Sequence, residues 1–225
     1  MKILLAFLSI AMVAALGLTS AVASPNLQGT KKLYNAQQKK DLIAWGAQAT
    51  ITWTDPPLHG GSYSAHRVAV IQISPWRYAE IGWYKYSAGL FTFVTCEDGS
   101  GPQMDLFPVS PATHEYAFQY DPNGAQHWFY VDSSVVSHKA VNFSSGDRVA
   151  AGGEVYDGVE SMGRTRLFNL RYLINVGGSF YYVPWDGYER YMIEFPYCNI
   201  AIDPNSFYDT EWECYVLLPL VLKMW

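Results

Sequence analysis

The chain has 225 residues, with 15 Lys and Arg against 20 Asp and Glu for a net charge of −5, and half of its residues are hydrophobic. That acidic balance gives no basic footprint for a nucleic-acid partner. Three cysteines allow at most one disulfide and leave one thiol over, so the fold must rest on its core rather than on staples.

In chain order, Met1-Lys2, the apolar run Ile3 to Leu18 and the small triplet Ala21-Val22-Ala23 follow the grammar of a secretory signal, with cleavage expected after Ala23. The run is shorter than the ~20 apolar residues of a spanning helix. No stable membrane insertion is therefore expected once the signal is removed, and the protein is placed outside the cytoplasm, secreted, extracellular or periplasmic. Residues 24–45 are expected to be a lead-in. Within it, Leu33, Ala36, the stem of Lys40 and Ile43 form a sparse apolar face over Lys31 to Trp45, which reads as a short packing helix or a disordered lead-in. Residues 46–225 then form one domain.

From there on, aromatic and aliphatic runs broken by Gly, Pro, Asn, Asp or Ser predict strands. They are expected at Ala49 to Thr54, Val68 to Ser74, Ala79 to Tyr86, Phe91 to Cys96, Glu115 to Tyr120, His127 to Val131, Val149 to Tyr156, Leu167 to Leu173, Phe180 to Val183 and Tyr215 to Leu222. Asp121-Pro122-Asn123-Gly124 reads as a hairpin turn. The spacing indicates an all-β, mostly antiparallel, two-sheet sandwich. Cys198 with Cys214 is the favoured disulfide, with the other two pairings open. Cys96, inside a strand, reads as structural or bridged rather than as a nucleophile.

Several chemistries lose support. No Gly-x-Ser-x-Gly elbow occurs. The five histidines, His59, His66, His114, His127 and His138, show no zinc-binding spacing. Nucleotide-cradling glycine motifs are missing too, so neither a metal nor a cofactor is implied.

Two acids stand out because each sits in an apolar strand: Glu80 in Ala79-Glu80-Ile81-Gly82-Trp83 and Glu154 in Gly152-Gly153-Glu154-Val155. A carboxylate there must be paired, solvated in a groove or protonated. Strand alternation puts Gly82 and Tyr84 on the face of Glu80, and Gly152 and Tyr156 on the face of Glu154. If the two face one groove, one can draw a proton from water while the other, kept protonated, donates to a substrate carbonyl. Such a pair works in acid and fades toward neutrality. The same pair could cleave a glycosidic bond, or each acid could simply pair with a basic residue, such as Arg164 or Arg166 for Glu154.

Glu80-Ile81-Gly82-Trp83 and Gly152-Gly153-Glu154-Val155, followed by Met162-Gly163 and Phe168-Asn169-Leu170, resemble in content and order the motifs of the neprosin family of secreted glutamic peptidases. That family is related in architecture to the fungal glutamic peptidases. The resemblance runs from about Ser74 to Leu173. It implies a jelly-roll sandwich carrying Glu80 and Glu154 as the catalytic pair, a polypeptide substrate and a proline-related preference.

Around the pair, Trp83, Tyr84, Tyr156 and Trp128 could line subsites or pack in the core. Gln72 could reach the groove or face solvent. His66 and His127 could tune an acid or be ordinary buried histidines. From another class altogether, a non-catalytic jelly-roll module binding glycan or peptide would use the same groove without chemistry.

Overall fold

A computed structural model of the protein describes residues 33–58, 62–156, 162–194 and 197–211. The expected leader, the terminal strand over 215–222, His59 and Cys214 lie outside them. By its contacts the chain divides into Met1–Thr30 and Lys31–Trp225, and every described residue belongs to the second unit.

Among the described residues fifteen strands follow one another: β1 (Leu33–Ala44), β2 (Gly46–Ile51), β3 (Tyr63–Gln72), β4 (Arg77–Tyr86), β5 (Gly89–Glu97), β6 (Gln103–Pro108), β7 (His114–Asp121), β8 (Gln126–Val131), β9 (Ser134–Ala140), β10 (Gly146–Tyr156), β11 (Thr165–Val176), β12 (Ser179–Pro184), β13 (Glu189–Ile193), β14 (Tyr197–Asp203) and β15 (Ser206–Glu211). They form two antiparallel sheets packed as a jelly-roll-like sandwich. The first has the order β13-β1-β10-β3-β4-β5-β6. The second runs β14-β15-β11-β2-β7-β8-β9, with β12 on β11. The all-β expectation holds, and the turn at residues 121–124 joins β7 to β8, its Asn123 amide donating to Asp121 Oδ1 at 2.9 Å.

Over residues 33–45, the described part of Lys31 to Trp45, the expected helix is absent. Its place is taken by β1, a twelve-residue strand between β10 and β13. The sparse helical stripe hid a period of two, interrupted by Gln38 and Lys40. Ala36 and Ala44 are fully buried, and Tyr34 and Leu42 pack with them against the core. The alternate residues Asn35 and Gln37 turn to the other face. Propensity alone is a weak prior when a strand has two neighbours to pair with.

The core lies between the sheets. Val68, Val70, Ala79, Ile81, Trp83 and Val94 come from the first sheet, and Ile51, Tyr116, Phe118, Phe129, Leu167 and Phe207 from the second. Trp83 is 1% exposed, meets Trp53 edge to face at 5.0 Å between ring centroids, and donates its indole N–H to the Thr52 carbonyl at 3.3 Å. Cys96 is a free, buried thiol, pushed up to about 12 by burial. Cys198 is disulfide-bonded.

Because Trp83 fills the sandwich interior, Trp83→Ala should act on stability. The expected cost is ~3–5 kcal/mol, or ~10 °C in Tm for a domain of this size, measured by thermal melting.

Candidate active site

The outer face of the first sheet carries the candidate site. Strands β10, β3 and β4 are neighbours in register, and Gly152, Arg67 and Gly82 stand side by side across them. Two residues along β3 in one direction, Ala69 faces Glu80. Two residues in the other, Ala65 faces Glu154. The side chain of Arg67 thus rises between two glycines, with an acid diagonally on either side. Its Nε meets Glu80 Oε2 at 2.7 Å, and its Nη1 pairs with Glu154 Oε2. One guanidinium spans both carboxyls. The three side chains are 14%, 13% and 15% exposed for Arg67, Glu80 and Glu154, open enough to meet a ligand and closed enough to lose most hydration.

Burial pushes Glu80 up to about 7 against the pull of Arg67, and the charge of Glu154 adds to the rise. Glu80 is therefore a carboxylic acid through the acid range. Glu154 accepts from the Tyr63 hydroxyl at 3.0 Å as well as from Arg67. The two acids hence differ in surroundings, one dominated by desolvation and the other holding two donors.

A cleft of about 570 Å³ lies over this floor, lined in part by Asn35, Gln37, Tyr63, Arg67, Glu80 and Glu154, with Leu33, Trp76, Met104 and Met192 among its apolar walls. The Gln37 amide donates to Asn35 Oδ1 at 2.7 Å, and the backbone N–H of Asn35 donates to Glu194 at 3.0 Å. Apolar walls with a few convergent polar groups are the usual composition of a ligand site.

The residues around Glu154 explain the local sequence. Gly152 has a φ of +144°, and a Cβ there would collide with the Ala36 carbonyl of β1. Gly153 faces inward, where a Cβ would stand 2.6 Å from His66 Nε2 and 2.7 Å from Met162 Sδ. Both glycines are therefore needed, for different reasons. Met162 is fully buried with Ala36, Val155 and Tyr197. Asn169, at a φ of +52°, sits where β11 loses register with β2, a conformation Asn tolerates better than most residues.

Beneath Gly153 lies a buried polar group. His66 and Asp209, both 0% exposed, approach at 3.3 Å. Asp209 also accepts from Asn199 and from the Gly153 amide, and Asn199 accepts from Gln38 at 3.0 Å. Burial holds His66 down at about 3, with Arg67 adding to the effect, and Asp209 well above the usual carboxylate range.

Glu80 and Glu154 share one face and one cation, and Tyr84 and Tyr156 stand on that face. Tyr63 stacks on Tyr156, with ring centroids 5.6 Å apart, and leans on Tyr84 at 4.9 Å. The other candidates do not join them. Trp83 and His127 point into the core, where His127 is fully buried beside Phe118 and Phe143. Gln72 follows the inward alternation of Val68 and Val70 at the end of β3. Trp128 belongs to the second sheet, against His138. His66 lies on the inner face, against Trp83 and Asp209. The basic partner of Glu154 is neither Arg164, which lies over Tyr208, nor Arg166, which lies over Phe168; it is Arg67. Among the described residues no cluster of three or more His, Cys, Asp or Glu is arranged to hold a metal.

Sequence reasoning missed Arg67, Tyr63, Asn35 and Gln37. A signal existed for Arg67, a lone cation among Ala65, Val68 and Ala69, but the strand was expected to begin only at Val68. Asn35 and Gln37 were lost to the supposed helix.

No protein-family model and no curated protein matches the sequence. Solved structures do. Scytalido-glutamic peptidase, crystallised with a peptide-based transition-state analogue, aligns over 81% of this chain and 98% of its own, with a TM-score of 0.56 and 10% identity. SCP-B, a member of the Eqolisin family of peptidases solved in complex with the tripeptide Ala-Ile-His, aligns over 81% of this chain and 98% of its own, with a TM-score of 0.52 and 9% identity. At such identity the likeness is one of fold, an antiparallel β-sandwich shared with these two peptidases.

Gly153→Ala should push into His66 and Met162 and destabilise by ~1–3 kcal/mol, visible as an earlier thermal transition. An unchanged transition would mean that the space beneath Glu154 is not filled as described.

Proposed function

We propose that the protein is an exported glutamic peptidase that hydrolyses peptide bonds with Glu80 and Glu154. The observation that carries this reading is the pair itself: two carboxyls on one open face, bridged by a single guanidinium, one kept protonated by burial and the other held by donors. Two further findings support it, the glutamic-peptidase fold and the ordered motifs that resemble the neprosins. The apparent signal at Met1 to Ala23 supports action outside the cytoplasm.

In the forward step Glu154 takes a proton from a water molecule as the water oxygen bonds to the scissile carbonyl carbon. Glu80 gives its proton to the carbonyl oxygen. In collapse the proton now on Glu154 passes to the leaving nitrogen, the C–N bond breaks, and the hydroxyl that Glu80 had formed returns its proton to Glu80 as the carbonyl re-forms. Protons balance over the cycle, and both acids end as they began. Tyr63, Tyr84 and Tyr156 offer flat faces next to the pair for substrate side chains, a proline ring among them.

A second reading has one observation behind it. A cation shared by two acids also suits a binding cleft with no chemistry, in which the ion pairs only hold shape. The two readings part on mutation. Glu80→Gln and Glu154→Gln should each lower the cleavage of a denatured protein by ~10²–10⁴-fold in a protein that still melts cooperatively, Glu154→Gln at a lower temperature because Arg67 loses a charged partner. Wild-type cleavage should fall as pH rises through about 7, where Glu80 loses its proton. A folded wild type that cuts nothing anywhere below that pH leaves the binding module. Comparing peptides with and without proline at the cleavage site tests the preference implied by the neprosin resemblance.

A further inference from the structure

Two acids on one cation leave a charge unaccounted for. Arg67 can neutralise one of Glu80 and Glu154 but not both, and among the described residues the ionisable neighbours on the same face do not supply a second cation. On β3 and β4 they are Tyr63, Tyr78 and Tyr84, and on β10 Tyr156, all uncharged in the acid range. Lys39 on β1 and Arg148 on β10 are both engaged with Asp41. Glu97 ends β5, Tyr191 lies on β13, and Glu194 just beyond it accepts from Asn35. In this largely desolvated triad one proton balances the charge, the same proton that an acid and base pair must share.

We propose that Arg67 is a third catalytic residue, whose guanidinium compensates the single negative charge of the working pair and so sets the pH range in which the two acids can exchange protons with water and substrate. The inference rests on the peptidase reading of the cleft. It follows from geometry: Nε lies on one reacting carboxyl and Nη1 on the other, and the absence of side chains at Gly82 and Gly152 leaves the guanidinium flanked by no competing group at its own register. Arg67 keeps all its protons throughout the cycle. A purely structural ion pair would need one acid, and burying a second without chemistry to perform would cost stability.

Removing the cation should raise the proton affinity of both acids. In Arg67→Gln both limbs of the pH profile of kcat/KM on a denatured protein are therefore expected to move to higher pH, by about one unit or more, on a lowered maximum. Arg67→Lys keeps the charge and should keep the limbs, although its compact ammonium cannot fork to both carboxyls and the rate should drop. A weakened Arg67→Gln whose limbs stay in place overturns the proposal, as does one of undiminished activity. Where Arg67→Gln does not fold, Arg67→Met is the neutral variant; where neither folds, limbs of Arg67→Lys displaced from those of the wild type overturn it and overlaid limbs support it. A wild type without any peptidase activity instead sinks the peptidase reading, and the charge-setting role is then decided by carbon-detected NMR titration of the glutamates. Upward movement in the neutral variant supports it, and no movement overturns it.

Discussion

A carboxyl that has lost most of its hydration must find a compensating charge or keep its proton, and on β3 one guanidinium faces two such carboxyls. The contact of Arg67 with Glu80 and Glu154 is the constraint around which this face of the sheet is built. Removing either partner of a buried ion pair leaves a charge uncompensated, which is why such groups tolerate few substitutions. Here the shortage of positive charge has a chemical consequence: a proton is held within the triad, and burial raises the Glu80 carboxyl toward it.

The surroundings serve that arrangement from both sides of the sheet. Above it, Gly82 and Gly152 keep the register of Arg67 free of neighbouring side chains, while Tyr63 adds a donor to Glu154 and joins Tyr84 and Tyr156 in an aromatic wall. Below it, Gly153 leaves room for His66 and Met162, and the Asp209 carboxyl holds the amide that precedes Glu154. The Gly-Gly-Glu sequence is thus a single physical statement, in which one glycine makes way for a neighbouring strand, one makes way for a buried imidazole, and the acid projects into the cleft.

Much of this was legible from residues alone, for reasons that vary from strand to strand. β4 and β10 carry long aromatic or aliphatic runs, each with one acid set inside its apolar stretch, so their existence and the faces of Glu80 and Glu154 could be read from alternation. Arg67 was missed because its strand, which begins at Tyr63, was started five residues too late, at Val68. β1 was misread because Gln38 and Lys40 broke its inward stripe. The short strands β6, β9, β13, β14 and β15 lie at or near sheet edges and are too polar on their exposed sides to announce themselves. Trp83 and His127 mark another limit, since period two assigns a residue to a face but does not say which face meets the core.

Diffraction to atomic resolution from crystals grown near pH ~5, below the value of about 7 at Glu80, tests the central claim most directly, because hydrogens and carboxyl bond lengths become visible only at such resolution. Expected are Arg67 in contact with both carboxyls, unequal C–O bonds at Glu80 as in a carboxylic acid, and equal bonds at Glu154 as in a carboxylate. Two equal, ionised carboxyls, or an Arg67 turned away from either acid, would contradict the shared-proton site.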